Sequence, residues 1–107
     1  MSKKDLKSTD MFIEKFKAIH GRKWYVGDFS NEKQTRFCAF GHCRSSLNKQ
    51  TRLEDKLQNL FITYLRTYAD EVNDGKYGWK KLGSNPKTRI LNALKTIRRT
   101  IKTELNK

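Results

Sequence analysis

Four side chains in this chain have the chemistry to ligate a transition metal or to act as nucleophile and base near neutral pH: His20, Cys38, His42 and Cys43. Three of them share one stretch, "RFCAFGHCRSS", from Arg36 to Ser46. A structural zinc site takes four Cys or His ligands, usually as two close pairs. Cys38-x4-Cys43 makes one pair, but the second would join His20, eighteen positions upstream of Cys38, to His42, which adjoins Cys43. Neighbouring residues seldom aim at one ion, so no metal is expected. A redox dithiol has two residues between its cysteines and follows a strand, whereas four intervene here. On a helix that spacing also holds the two Cα atoms too far apart for an unstrained disulfide. A Cys–His nucleophile pair remains formally open, yet nothing in the sequence marks an oxyanion hole. With Phe37 and Phe40 beside it, "FCAF" reads as packing, because buried thiols behave as small hydrophobes.

The carboxylates offer no better centre. Glu54–Asp55 and Asp70–Glu71 fall near opposite ends of one expected helix, without a second cluster at metal-binding spacing. No P-loop, dinucleotide fingerprint, Gly-x-Ser-x-Gly elbow or His-Glu-x-x-His occurs. The chain is therefore expected not to be an enzyme and to use no cofactor.

What remains to do chemistry is charge. Twenty-four Lys and Arg against eleven Asp and Glu give a formal net charge of +13. Such an excess repels itself and attracts polyanions. Nucleic acid is the first candidate partner, an acidic protein surface the second and an anionic membrane the third. The excess is uneven: residues 86–107 hold seven basic groups and one acidic, nearly half of the net charge in a fifth of the chain. The start "MSKKDLKSTD" is basic but leads into no apolar run, so no signal peptide is expected. No stretch approaches the roughly 20 apolar residues of a membrane span. Reduced thiols, no membrane contact and a cytoplasmic location follow as expectations.

The elements that must position these groups are mainly helical. At 107 residues the chain is expected to form a single domain over residues 1–107, with residues 1–8 disordered. A first helix is expected after "STD" through "MFIEKFKAIH", with Phe12, Phe16 and Ile19 on one face and Gly21 ending it. His20 at its C-terminus would interact favourably with the helix dipole. "RKWYVGDFSNEKQTRF" has no helical period and suits a loop or short strand pair, anchored by Trp24 and Phe29. "CAFGHCRSSL" suits a short helix tightened at Gly41. In "TRLEDKLQNLFITYLRTYADEV", Thr51 and Glu54 match a capping box, and the apolar period runs unbroken from Leu53 to Val72. "NDG" at 73–75 stops that helix. Asn85 and Pro86 then open a last helix with Ile90, Leu94, Ile97, Ile101 and Leu105 on one stripe. The expected fold class is thus mainly α: a compact single domain of three to four helices, with an irregular or short-β aromatic segment around residues 22–37.

Trp24, Gly27, the run "CAFGH" at Cys38 to His42, and Asn73–Asp74–Gly75 together resemble a family of small bacterial and phage-associated proteins of unknown function. Its members carry a Trp and Gly segment, a "CALG"-like run and an Asn-Asp-rich turn before a last helix. The resemblance covers residues 22–100 and implies a compact, mostly helical fold with no activity. This chain departs from the pattern in its charged insert "NEKQTR" and its high basic charge. Independently of any family, an Ala-x-Gly step lets a short helix approach another closely. Asn73 and Asp74 are placed to bond backbone donors near that contact, as a staple of the fold.

A positive face is the functional expectation. On the last helix Lys95, Arg98, Arg99 and Lys102 form a ridge beside the apolar stripe, with Lys87 and Arg89 in its first turns. Before it, the loop "KYGWKKLGS" supplies Lys76, Tyr77, Trp79, Lys80 and Lys81. Basic groups would neutralise phosphates and the aromatics would stack on bases. The chain therefore reads as a small basic cytoplasmic binding protein of phage or prophage type, contacting nucleic acid or a nucleoprotein complex. The alternative is a protein-directed accessory factor or inhibitor that docks the same face on an acidic surface of a host complex.

Overall fold

Helix α1 is Ser2–Lys17, followed by a 3-10 turn at Gly21–Lys23, α2 at Ala39–Ser45, α3 at Thr51–Leu65, α4 at Ala69–Asn73, a second 3-10 turn at Trp79–Leu82, and α5 at Pro86–Leu105. The computed structural model describes residues 2–28, 30–45 and 51–106, except for the side chains of residues 2, 44, 45, 51 and 52. The Phe29 anchor, the Thr51 half of the capping box and the side chain of Arg44 fall outside the described residues.

The chain starts its first helix earlier than its cap signals suggest. Residues 2–8 are helical, and "STD" lies inside α1 rather than ahead of it. Thr9 is fully buried and donates its hydroxyl to the Asp5 carbonyl one turn back, at 2.8 Å, so it caps nothing. The Asp5 carboxylate in turn accepts a 2.6 Å bond from the Tyr64 hydroxyl of α3, which ties the first turn to the body of the protein. Burial and this carboxylate together raise the Tyr64 pKa.

The helix expected from Thr51 to Val72 is two helices. Arg66 turns into the left-handed region at φ 55°, and Tyr68 is extended, which redirects the chain between α3 and α4. Gln58 of α3 accepts the Ala69 N–H through its side chain at 3.0 Å, capping α4 from outside. The break lets Ala69, Val72 and Asn73 bury completely while Tyr68 faces out.

Around α5 the pattern behaves as its sequence requires. Asn85 accepts the Thr88 N–H at 2.9 Å and Pro86 occupies the first turn, where its missing donor costs nothing. Ile90, Leu94, Ile97 and Ile101 are fully buried, against Phe12 and Phe16 of α1 and Leu57 and Phe61 of α3 in one core. The α1 and α5 helices pack antiparallel. Lys87 Nζ donates to the Lys17 carbonyl at 3.1 Å, and further along Arg98 Nε meets Asp10 Oδ1 at 2.7 Å. A radius of gyration of 13.2 Å matches the ~13 Å of a compact chain of about 100 residues.

The aromatic segment forms no strand among the described residues. It makes only isolated bridges, Trp24 with Phe37 and Ser30 with Phe37. Phe37 is held on both sides: its N–H donates to Lys23 O at 2.8 Å and its carbonyl accepts from Tyr25 N at 2.9 Å. Trp24 is buried against Phe16 with ring centroids 5.3 Å apart.

Candidate functional site

The cysteine and histidine cluster is built as core. Cys38 and Cys43 are buried and neither is in a disulfide. Burial is the main cause that raises both thiol pKa values, Cys43 to about 12. The ring of His42 packs 4.7 Å from that of Trp24 and 5.4 Å from that of Phe37. Burial lowers its pKa to about 4; a bond to the Lys23 backbone opposes this, and the charges of Lys15 and Lys23 add to it. His20 is exposed and serves the following turn instead of the α1 terminus, its Nδ1 accepting the Arg22 N–H at 3.1 Å. Among the described residues no group of three or more His, Cys, Asp or Glu side chains is placed to share a metal ion. Both thiols are expected to react with an aromatic disulfide roughly a hundredfold slower than free cysteine at pH 7.5, and at the rate of free cysteine in urea. Fast native reaction of either would show that the cluster opens.

Asn73 and Asp74 staple three segments that are far apart in sequence. Asn73 Oδ1 accepts the Ala39 N–H that opens α2, at 3.0 Å, while its Nδ2 donates to Tyr25 O at 2.8 Å. The same Nδ2 donates to Asp74 Oδ1 at 3.1 Å, and that oxygen also accepts from Gly27 N at 3.1 Å. Beneath the staple lies Arg89, placed on the expected positive face by its charge but only 7 % exposed. Its Nε and Nη2 donate to the last carbonyls of α4, the shortest bond being 2.8 Å to Asn73 O, and Nη1 donates to Gly83 O at 3.2 Å. The guanidinium supplies a donor to the Asn73 carbonyl at the helix end and a further one to the Val72 carbonyl, which also accepts from Gly75 N at 3.1 Å. It is thus removed from the surface set. Gly75 sits at φ +69°, where a side chain is strained, and a Cβ would lie 3.1 Å from that guanidinium, which would have to shift slightly.

The other basic residues divide by partner. Lys87 and Arg98 face α1 and are engaged there. On the opposite flank of α5, Arg89 and Asn92 bond the carbonyls of Gly83 and Leu82, the latter at 2.6 Å, and so hold the second 3-10 turn. At 100° per residue, Lys95, Arg99 and Lys102 fall between these flanks on the side away from the core, and all three are exposed. They form the crest of α5. On one side of it stands α1, where Lys3 and Lys17 lie seven residues before and after Asp10 and so repeat its orientation. On the other side stand Lys80 and Lys81 of the 3-10 turn, both exposed. Lys76 is also exposed, and Tyr77 is 79 % exposed at φ 57°. Trp79 is half-buried against the core, so one aromatic of the loop is an anchor and the other is presented. Lys3 and Lys17 carry no signal of their own in the sequence, because only the pairing of α1 with α5 brings them beside the crest.

Elsewhere, a cleft of about 230 Å³ is lined by Gly27, Asp28, Cys38, Phe40, Asp70 and Asp74. It borders the staple through Gly27 and Asp74 and gathers three acidic groups, none of them from α5. Among the described residues no helix is long and apolar enough to cross a membrane. No protein-family model, no curated protein and no solved structure matched the chain.

Proposed function

We propose that this chain is a small basic binding protein that contacts nucleic acid, free or within a nucleoprotein complex, through the crest of α5 and its two shoulders. The observation that carries the reading is the placement of Lys95, Arg99 and Lys102. They are exposed between two supporting elements that each add cations, in a chain of net charge +13. Clustered cations displace the condensed counterions of a polyphosphate, which gives affinity without sequence readout. Tyr77 adds an exposed ring for stacking on an unpaired base.

The test is fluorescence anisotropy with a labelled single strand and a labelled duplex, titrated at several salt concentrations. The triple variant K95E/R99E/K102E is expected to keep its melting temperature and to lose roughly a hundredfold or more in affinity, with a log–log salt slope shallower by about 3 on duplex DNA. Y77A is expected to lose about 1–3 kcal/mol on the single strand and little on the duplex. Unchanged affinity in the triple variant overturns the proposal. A partner captured from lysate through the crest that persists after nuclease treatment would instead favour an acidic protein as the target.

A further inference from the structure

A second groove, of about 510 Å³, takes no residue from α5. Lys15 comes from α1, Ile19 from the turn after it, Lys23 from the first 3-10 turn, Gln34 and Thr35 from the loop, and Phe37 and His42 form its inner wall. Its volume falls in the range of roughly 300–1,000 Å³ usual for small-molecule sites.

The rim is held in place before any ligand arrives. Asn31 organises the loop: its Oδ1 accepts from Thr35 N at 2.9 Å and Arg36 N at 3.0 Å, and its Nδ2 donates to Thr35 Oγ1 at 2.9 Å. Gln34 is set in the left-handed region at φ 54° by the same turn, its N–H on Asn31 O at 3.0 Å. Arg36 then clamps the loop to the 3-10 turn through Nε on Arg22 O at 2.9 Å. The lining thus combines a side-chain amide and a hydroxyl from the loop, two lysines from α1 and the first 3-10 turn, and the apolar side chains of Phe37 and Ile19. Among the described residues that line it there is no Asp or Glu. His42 at the base stays neutral near pH 7, chiefly because it is buried, so the positive charge of the groove is that of its lysines.

We propose that this groove binds a nucleotide: a base against Phe37 and Ile19, its edge or sugar bonded by Gln34 and Thr35, and its phosphate between Lys15 and Lys23. A plain anion would leave the ring wall unused, and a neutral ring would leave the lysines unused. The nucleotide is either free or a single unstacked residue of a strand, and the same chemistry serves both. This site is separate from the crest of α5 and does not rest on it.

The experiment is a ¹H–¹⁵N correlation titration of the full chain with 5′-AMP, and in parallel with adenosine, inorganic phosphate and a short oligoadenylate. Saturable shifts are expected at residues 15, 19, 23, 34, 35 and 37, with 5′-AMP at least tenfold tighter than adenosine or phosphate. Equal saturation by 5′-AMP and oligoadenylate identifies a free nucleotide as sufficient, while a further tenfold gain with the oligomer identifies a residue of a strand. The variant K15Q/K23Q, changed only at accessible side chains, is expected to weaken 5′-AMP at least tenfold at unchanged melting temperature. The crest variant K95E/R99E/K102E is expected to bind 5′-AMP as the parent does, so loss of strand binding at α5 and loss of this site are read separately. Absence of saturable shifts, shifts confined to α5, or inorganic phosphate binding as tightly as 5′-AMP would each overturn the proposal.

Discussion

Replacing Asn73 by leucine is expected to cost the fold about 3–5 kcal/mol, read as a lower midpoint in urea with an unchanged slope. Leucine matches the volume but removes every side-chain bond of Asn73, leaving the staple only the bond from Gly27 N to Asp74. The Ala39 N–H and the Tyr25 carbonyl then lose their partner where water reaches poorly, and each such loss costs roughly 1–3 kcal/mol. A domain of this size has only about 5–15 kcal/mol in total, so the loss is a substantial share of its stability. Asn73→Asp makes the account sharper. The carboxylate can still accept from Ala39 N, but it cannot donate to Tyr25 O. It also lies beside Asp74, whose Oδ1 is 3.1 Å from the present amide nitrogen. Asp is therefore expected to be destabilising by about 2–4 kcal/mol at pH 7. A loss below about 1 kcal/mol for leucine would show that the staple is dispensable. A double-mutant cycle with Arg89→Met is expected to be non-additive, because both side chains converge on the end of α4.

Acidification is expected to weaken the fold through His42 on the order of 3 kcal/mol between neutral pH and about pH 4. The core accepts the neutral imidazole, walled by Trp24 and Phe37, and burial resists its charging. Lys15 and Lys23 resist it further, while the bond to the Lys23 backbone works the other way. In the unfolded chain the ring binds a proton below its ordinary value of 6.5; in the folded chain it does so only near 4. Within that window unfolding takes up a proton, so stability falls as pH falls and levels off once both states are protonated. Above the window both states are neutral and His42 contributes no pH dependence. Urea denaturation at pH 7, 5.5 and 4.5, together with the His42 ring shift by NMR, checks both halves. A folded-state midpoint above pH 6 would refute the burial account.

Some of this is visible in short windows of sequence because the forces act over a few residues. Asn85 and Pro86 mark a helix start through a bond to a donor three positions on, and α5 begins there. The buried stripe of α5 follows from period alone, and the ligand spacing of Cys38 and Cys43 already argues for packing. Other features escape such reading for definite reasons. Tyr68 and Val72 both fall on the apolar stripe of an unbroken helix, and neither Gly nor Pro marks the turn at Arg66. Only the cap from Gln58, eleven residues back, and the burial of Asn73 make the break worthwhile. Ser8, Thr9 and Asp10 look like caps, yet the contact that extends α1 past them is with Tyr64, 59 positions away from Asp5.

The same division separates what the two levels decide about function. Composition by itself determines that the protein is strongly basic and that its last helix must carry cations beside an apolar seam, since charge adds without regard to fold and helical period needs no partner. Tertiary structure decides which cations reach a ligand. Arg89 is drawn beneath α4, where its guanidinium donates to the carbonyl of Asn73, 16 residues away. Arg98 is engaged by Asp10, 88 residues distant. Lys95, Arg99 and Lys102 remain outward because α1 and the second 3-10 turn occupy the flanks on either side. The groove of Lys15, Lys23 and Phe37 exists only once four segments meet, and no local period in the sequence records a meeting between residues that lie in different elements.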